Sequence, residues 1–231
     1  MFDINRHKFF MVQILKDIYA DIELANYLGF KEGTALMFFY DLPQFSIDLD
    51  FNVLDTEKED FIYDRVRKIL VKYGTIDDEA KKHFGILMVL NYGFGERKLK
   101  IEISNRLFDD HYEIKNLLGI NMNVMVQADM FAHKVCALLD RKSITNRDIF
   151  DCWFFMQKHS PINKSIVENR MKMSYEEYLQ KCIEYLESVG DAGLLNGLGE
   201  LMENDMKKFV RTSLRKDTIT LLKFYKEFPI V

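Results

Sequence analysis

Between Ser46 and Val53 apolar and polar residues alternate, Ile47, Leu49, Phe51 and Val53 against Ser46, Asp48, Asp50 and Asn52. A period of two marks a strand with one face on a core, so the two aspartates share the opposite face. Residues 5–20 follow a different rule: Phe9, Phe10, Ile14, Leu15 and Ile18 recur at helical spacing and predict an amphipathic helix. Tyr27 to Lys31 is a short lead-in to "GTALMFFYD", which reads as a short helix entered through a Gly33–Thr34 turn, and Pro43 breaks the chain before the aspartate strand. A helix follows from about Glu57 to Tyr73. "FGILMVLNYGFGERKLKIEIS" predicts two strands joined by a glycine-containing hairpin, and "NMNVMVQ" a further strand. The glycines of "YGFGER" belong to that hairpin rather than to a phosphate loop.

From Ala128 onward the pattern is helical, with helices expected near 128–141, 146–158, 174–188 and 200–226. Turn chemistry separates them at Ser143 to Asn146, at Ser160–Pro161 and in "VGDAGLLNGLGE". The fold class is therefore α+β: an N-terminal mixed sheet with flanking helices over 1–126, then a C-terminal helical bundle over 127–231. At 231 residues and 48% hydrophobic content the chain can fill one large core or two small ones. There is no run of about 18 apolar residues for a membrane span, and the charged N-terminus is unlike a signal peptide. Cys136, Cys152 and Cys182 lie in apolar helical surroundings without CxxC spacing, which predicts reduced core thiols in a cytoplasmic protein. The five histidines lack metal-ligand spacing.

A net charge of −4 gives no global field for polyanions, so any nucleic-acid contact must come from a local patch. Lys207, Lys208, Arg211, Arg215 and Lys216 form one candidate strip. The sharper chemistry lies in the aspartate strand. Carboxylates roughly 6–7 Å apart along one strand face repel unless a cation lies between them. Asp48 and Asp50 are thus candidate ligands for Mg²⁺, as in sites that organise phosphoryl and nucleotidyl transfer. Gly33 and Thr34, at a helix entry, offer backbone N–H groups and a hydroxyl to phosphate oxygens. Glu102, an acid between Ile101 and Ile103, is the candidate third ligand from a neighbouring strand.

Gly33–Thr34, the short helix and Asp48-x-Asp50 resemble the glycine motif and D-x-D of the polymerase-β-like nucleotidyltransferase superfamily. More closely, "FKEGTAL" and "FSIDLDF" are similar to the "KGGTAL" and "SxDLDF" signature of the AbiEii/AbiGii toxin family, and "FAHKVCALLDRKSITNRDIFDCW" is similar to its later "AEKLxALxxRxxxRDxYDL" motif. The resemblance spans roughly residues 25–155. It implies an Mg²⁺- or Mn²⁺-dependent nucleotidyltransferase that moves a nucleotide from an NTP to an acceptor. RNA such as a tRNA 3′ end is the expected acceptor and a separately encoded antitoxin the expected partner, in a toxin–antitoxin or abortive-infection setting. By position it assigns metal binding to Asp48 and Asp50, with Glu102 a looser match, and nucleotide binding to Gly33 and Thr34. It adds Lys134, Arg147, Asp148 and Asp151 from the helical half, with the choice between the two acids open. Glu32 replaces the first glycine of the usual pair, Gln44 stands where the family often has arginine, and His133 where it often has glutamate. A small-molecule, aminoglycoside-type acceptor and a catalytically impaired nucleotide-binding module are the alternative readings.

Overall fold

The computed structural model describes residues 3–93, 95–140, 145–190, 198 and 204–231. The aspartate strand, β2 (Asp48–Val53), lies inside a seven-stranded mixed sheet. Its neighbours are β1 (Leu28–Lys31), antiparallel, and β5 (Leu99–Ser104), parallel. Outward from β5 come β4 (Gly85–Asn91) and β3 (Thr75–Lys82). On the other side β1 pairs in parallel with β7 (Ile120–Met125), and β6 (Tyr112–Leu117) closes that edge as a hairpin partner of β7.

The alternation in β2 is realised across the whole sheet. Phe30, Leu49, Phe51, Val53, Ile86, Met88, Leu90, Ile101, Ile103, Met122 and Val124 are all buried. Onto this apolar face α1 (Ile4–Ala20) and α4 (Glu59–Leu70), which pack on one another, on β7 and on β4, lay the stripes Met11, Ile14, Leu15, Ile18 and Ile62, Val66, Ile69, Leu70. Each such side chain contributes about 1.5–3 kcal/mol on burial, which fixes which way β2 faces and so sends Asp48 and Asp50 outward. Between β1 and β2 along the chain, α3 (Glu32–Phe39) packs back against both strands. A short helix, α2 (Ile22–Ala25), capped by Asp21, turns the chain from α1 into β1.

The helical part consists of α5 (Gln127–Asp140), α6 (Asn146–Gln157), α7 (Lys164–Met171), α8 (Tyr175–Ser188), α9 (Asn204–Thr212) and α10 (Leu214–Glu227). Contacts divide the chain into two compact units, one of Met1–Asp41, Phe45–Leu107 and Tyr112–Met125, the other of Leu42–Gln44, Phe108–His111 and Val126–Val231. The core of the second is aromatic: Phe131 stacks on Phe155, and Tyr178 donates from its hydroxyl to the Cys136 carbonyl. Cys136, Cys152 and Cys182 are buried free thiols, and burial pushes Cys136 and Cys182 up to about 12, which keeps them neutral.

Five of the elements described above were not predicted: three strands and the short helices α2 and α7. β3 and β6 are the two edges of the sheet; TIDDEAKK puts charges on both faces and YEIKNL puts Glu113 and Lys115 on one, charges that guard an edge against further pairing. β3 therefore lacks an apolar period, and in β6 only Tyr112 and Ile114 alternate with the charges. β1 has only four residues, and α7 is a two-turn helix begun by Asn163 at its N-cap. The expected helix over 200–226 is two helices broken at Ser213, and its stretch 200–203 lies outside the described residues. Val210, Leu214, Thr218, Leu222 and Tyr225 keep helical spacing through the break, which hides it from the sequence. Most of the two expected turns at 143–146 and 189–200 also lies outside the described residues.

Gly29 has a packing reason. A Cβ there would fall 2.1 Å from Cε1 of Tyr112, whose hydroxyl accepts from Asn52 Nδ2 at 2.8 Å beside the aspartates on β2. Gly29→Ala should therefore cost about 1–3 kcal/mol in urea unfolding, typical of overpacking. The same change made in a Tyr112→Ala background should cost less than half as much.

Candidate active site

Alternation and register assemble the first group of residues. Lys31 on β1 and Glu102 on β5 are the cross-strand partners of Asp50, and Lys100 is the partner of Asp48. All lie on the face opposite the core. Glu32, which follows Lys31, adds a further acid. The consequence is electrostatic: burial first, then the charges of Glu32, Asp48 and Glu102, push the Asp50 carboxyl up to about 7, with Lys31 pulling the other way. Glu102 is itself tied to Lys100 at 2.7 Å. Among the described residues no three His, Cys, Asp or Glu side chains converge as a ready metal-ligand set. The fit to a cation rests instead on the donor chemistry. Hard carboxylate oxygens gathered on one face, with an acid that resists ionising until positive charge arrives, suit Mg²⁺ or Mn²⁺.

α3 begins at this cluster. Its N-cap is Lys31, whose side chain makes no capping bond, whereas Asp3, Thr145, Asn163 and Ser174 cap α1, α6, α7 and α8. Gly33 and Thr34 are buried in the first turn. The Thr34 hydroxyl donates to the Asp48 carbonyl at 2.5 Å, so its one proton ties the helix start to the strand that carries the acids. Glu32 has φ +61°, in the left-handed region. That is a conformation suited to glycine, and holding it with another residue costs roughly 1–2 kcal/mol. Backbone geometry thus explains why a glycine belongs at this position.

His7 is a member of the site that sequence spacing did not reveal. It is buried, donates from Nε2 to the carbonyl of Ile47 at 2.8 Å, and accepts on Nδ1 from the Tyr92 hydroxyl at 2.5 Å. It braces the backbone one residue before Asp48. Burial lowers its pKa, which favours the neutral tautomer these bonds require. The signal for it was there in principle, since His7 precedes Met11 and Ile14 on the buried stripe of α1.

In the helical unit Lys134 and Asp151 are both buried and pair at 3.1 Å. With the Gln44 amide turned so that both ends are satisfied, its nitrogen donates to Asp151 Oδ1 at 3.0 Å and its oxygen accepts from Arg147 Nε at 2.9 Å. Burial raises the Asp151 pKa, against the pull of Lys134 and Arg147. Asp148 has a different task. It accepts from the Thr145 hydroxyl at 2.6 Å while its own N–H donates to the same hydroxyl oxygen at 3.3 Å, a reciprocal pair at the N-cap of α6. His133 is also networked: Arg170 donates to its Nδ1 at 2.9 Å, so Nε2 carries the proton that Asp110 accepts at 2.6 Å. Of the expected basic strip, Arg215 donates to the Leu186 carbonyl at the end of α8, and the break at Ser213 divides the remainder.

Residues 13–221 match the family described as nucleotidyl transferase AbiEii toxin, type IV toxin–antitoxin system. The chain belongs to the AbiEii nucleotidyl transferase toxin family. Membership makes it a nucleotidyltransferase and implies an NTP substrate and an antitoxin partner. The AbiEii fold is also met in solved structures. One is JHP933 from Helicobacter pylori, at TM-score 0.60 and 19% identity, with 98% of this chain and 94% of that one covered. Another, named "putative nucleotidyltransferase" from H. pylori, aligns at TM-score 0.59 and 22% identity over 96% of this chain and 94% of the other. At these identities the likeness concerns the fold alone. No curated protein matches the sequence. Among the described residues of this AbiEii chain no helix is long and apolar enough to cross a membrane.

Two measurements probe the site without assuming a substrate. Asp50 titrates near 7 when folded and near 3.8 when unfolded, so between those values the native state binds the extra proton and stability falls as pH rises, levelling above 7. Without divalent ions, Asp50→Asn should gain up to about 4 kcal/mol relative to the parent between pH 4 and pH 8 in urea unfolding. Parallel profiles would mean that neither burial nor the neighbouring carboxylates raise the Asp50 carboxyl. For the second pair, Lys134→Met should cost about 3–5 kcal/mol by leaving Asp151 buried and uncompensated, and Lys134→Met with Asp151→Leu should recover most of it in thermal unfolding.

Proposed function

We propose that this toxin-family nucleotidyltransferase holds Mg²⁺ or Mn²⁺ through Asp48 and Asp50 and passes a nucleotide from an NTP to an RNA end, such as that of a tRNA. The observation that carries the reading is the Asp50 carboxyl, pushed up to about 7 by burial and by Glu32, Asp48 and Glu102, beside a helix start whose N-cap Lys31 makes no side-chain capping bond. A bound cation would neutralise that group and polarise the phosphate at which a nucleotide is transferred. Backbone N–H groups of Gly33 and Thr34 would receive phosphate oxygens, with Thr34 holding α3 against β2 while they do so. Glu102 would join the ligand set on leaving Lys100.

Lys134 is proposed to stabilise developing phosphate charge, with Asp151 as the acid that orients it. Asp151 is favoured for this role because it is fully buried and contacts Lys134 directly. The setting is cytoplasmic, in a toxin–antitoxin or abortive-infection system whose antitoxin is encoded separately. A small cationic acceptor is the second reading, and the three carboxylates around Asp50 are its motive.

Incubation with labelled NTPs, Mg²⁺ and total cellular RNA should label RNA, and chelation of the metal should abolish labelling. Label appearing on a small amine instead would select the second reading. Expression should arrest bacterial growth, and Asp48→Ala or Asp50→Ala should relieve the arrest in folded protein; arrest persisting in both would point to a non-catalytic toxin.

Glu32→Gly should relax the left-handed residue and withdraw one of the charges acting on Asp50. NTP affinity measured by calorimetry with Mg²⁺ should then tighten by roughly threefold to tenfold, more at low salt. A fall in turnover at saturating NTP would instead make Glu32 a working ligand.

A further inference from the structure

A cavity of about 320 Å³ opens at the far end of the β4–β5 pair, lined in part by Lys82, His83, Phe84, Leu87, Glu102 and Arg106. Its floor is the same outward face that carries the aspartates, since Leu87 is the cross-strand partner of Glu102, and Glu102 of Asp50. Its rim is basic and aromatic. Phe84, at the β3–β4 turn, leaves 59% of its surface in solvent. The Arg106 guanidinium lies over the Phe84 ring at 5.4 Å from the centroid, and His83 meets the same ring edge-on at 4.5 Å. Lys82 and Arg106 are exposed.

This rim is held in place. Gly85 has φ +130°, and a Cβ there would fall 2.0 Å from the Ile103 carbonyl oxygen, so the turn lies pressed against β5. Asn105 then clamps it: its N–H donates to the Phe84 carbonyl at 3.3 Å, and its amide nitrogen to the His83 carbonyl at 3.3 Å and to Glu59 at 3.2 Å. A fixed, exposed ring flanked by cations is a platform for an unpaired base with phosphates alongside. The one acid in the lining, Glu102, is paired with Lys100 and so does not repel a phosphate at full charge.

We propose that this cavity binds the end of a single-stranded RNA, with a base stacked on Phe84 and backbone phosphates on Arg106 and Lys82. Bound there, the strand lies along the β5 edge of the aspartate face. That the strand is the acceptor rests on the transfer reading above, whereas the binding itself does not. A chain of net charge −4 has to take a polyanion through such a local patch.

The test is fluorescence anisotropy of the full-length protein with a labelled single-stranded RNA of mixed sequence, in the absence of NTP and divalent metal and across a salt series. Phe84→Ala should weaken binding about 5- to 100-fold, and Phe84→Trp should retain it. Arg106→Ala and Lys82→Ala should each lower the slope of log affinity against log salt by about 0.7. Circular dichroism melts establish that each variant is folded. Wild-type protein that fails to bind the RNA at low salt overturns the proposal, as does Phe84→Ala binding like wild type. So does equal affinity for an RNA duplex or for poly-glutamate, which would reduce the effect to charge alone. If labelled NTP is transferred to RNA but binding ignores Phe84, the cavity assignment fails and the enzyme reading stands. If RNA binding depends on Phe84 and no transfer occurs, the reverse holds.

Discussion

Carboxylates that repel one another are kept on one face of the sheet by apolar side chains on the other. Leu49, Phe51 and Val53 have no exposed surface, and a shift of β2 by one residue would put them in solvent and the aspartates in the core. The sum of several buried side chains at about 1.5–3 kcal/mol each exceeds the electrostatic cost of holding Asp50 beside Asp48, Glu102 and Glu32. The core therefore makes an arrangement possible that the charges by themselves would scatter. Parallel pairing with β5 and antiparallel pairing with β1 then decide which charges Asp50 meets, acid on one side and lysine on the other.

Two devices fix the details. The Thr34 hydroxyl and the His7 ring both end on carbonyls at the start of β2, those of Asp48 and Ile47, so the backbone that presents the first aspartate is held from α3 and from α1. The left-handed Glu32 is the hinge that lets α3 start immediately after β1. Its side chain is then delivered to the acidic cluster as a by-product of where its backbone has to be. One substitution thus carries two separable effects, a conformational cost and a charge, and they act in the same direction.

Much of this was legible in the sequence. The period of two placed Asp48 and Asp50 on one face, and the family motif ordered Gly33, Asp50 and Lys134 along the chain. Glu102 was found by the same alternation, because β5 is buried on one side. What escaped followed from solvent exposure or brevity. The edge strand β3 carries charges on both faces, β6 has only Tyr112 and Ile114 alternating with charges, and β1 is too short for a period. His7 looked like any histidine on a helix because its bonds are to backbone and to a residue far away in sequence. Gln44 illustrates the limit: its isolated appearance in a loop gave no sign that it joins Asp151 to Arg147.

The division of the chain into units carries a consequence for how the molecule is assembled. Leu42–Gln44 and Phe108–His111 are grouped with the helices although their neighbours along the chain build the sheet. The polypeptide therefore leaves the first unit and returns to it twice before α5 begins. A fragment ending after β7 would contain Gln44 without Asp151 and Arg147, and Asp110 without His133. The helices, made after the strands, close on pieces made before them, so the polar interior of their unit is completed only once Arg147 and Asp151 have been added to the chain.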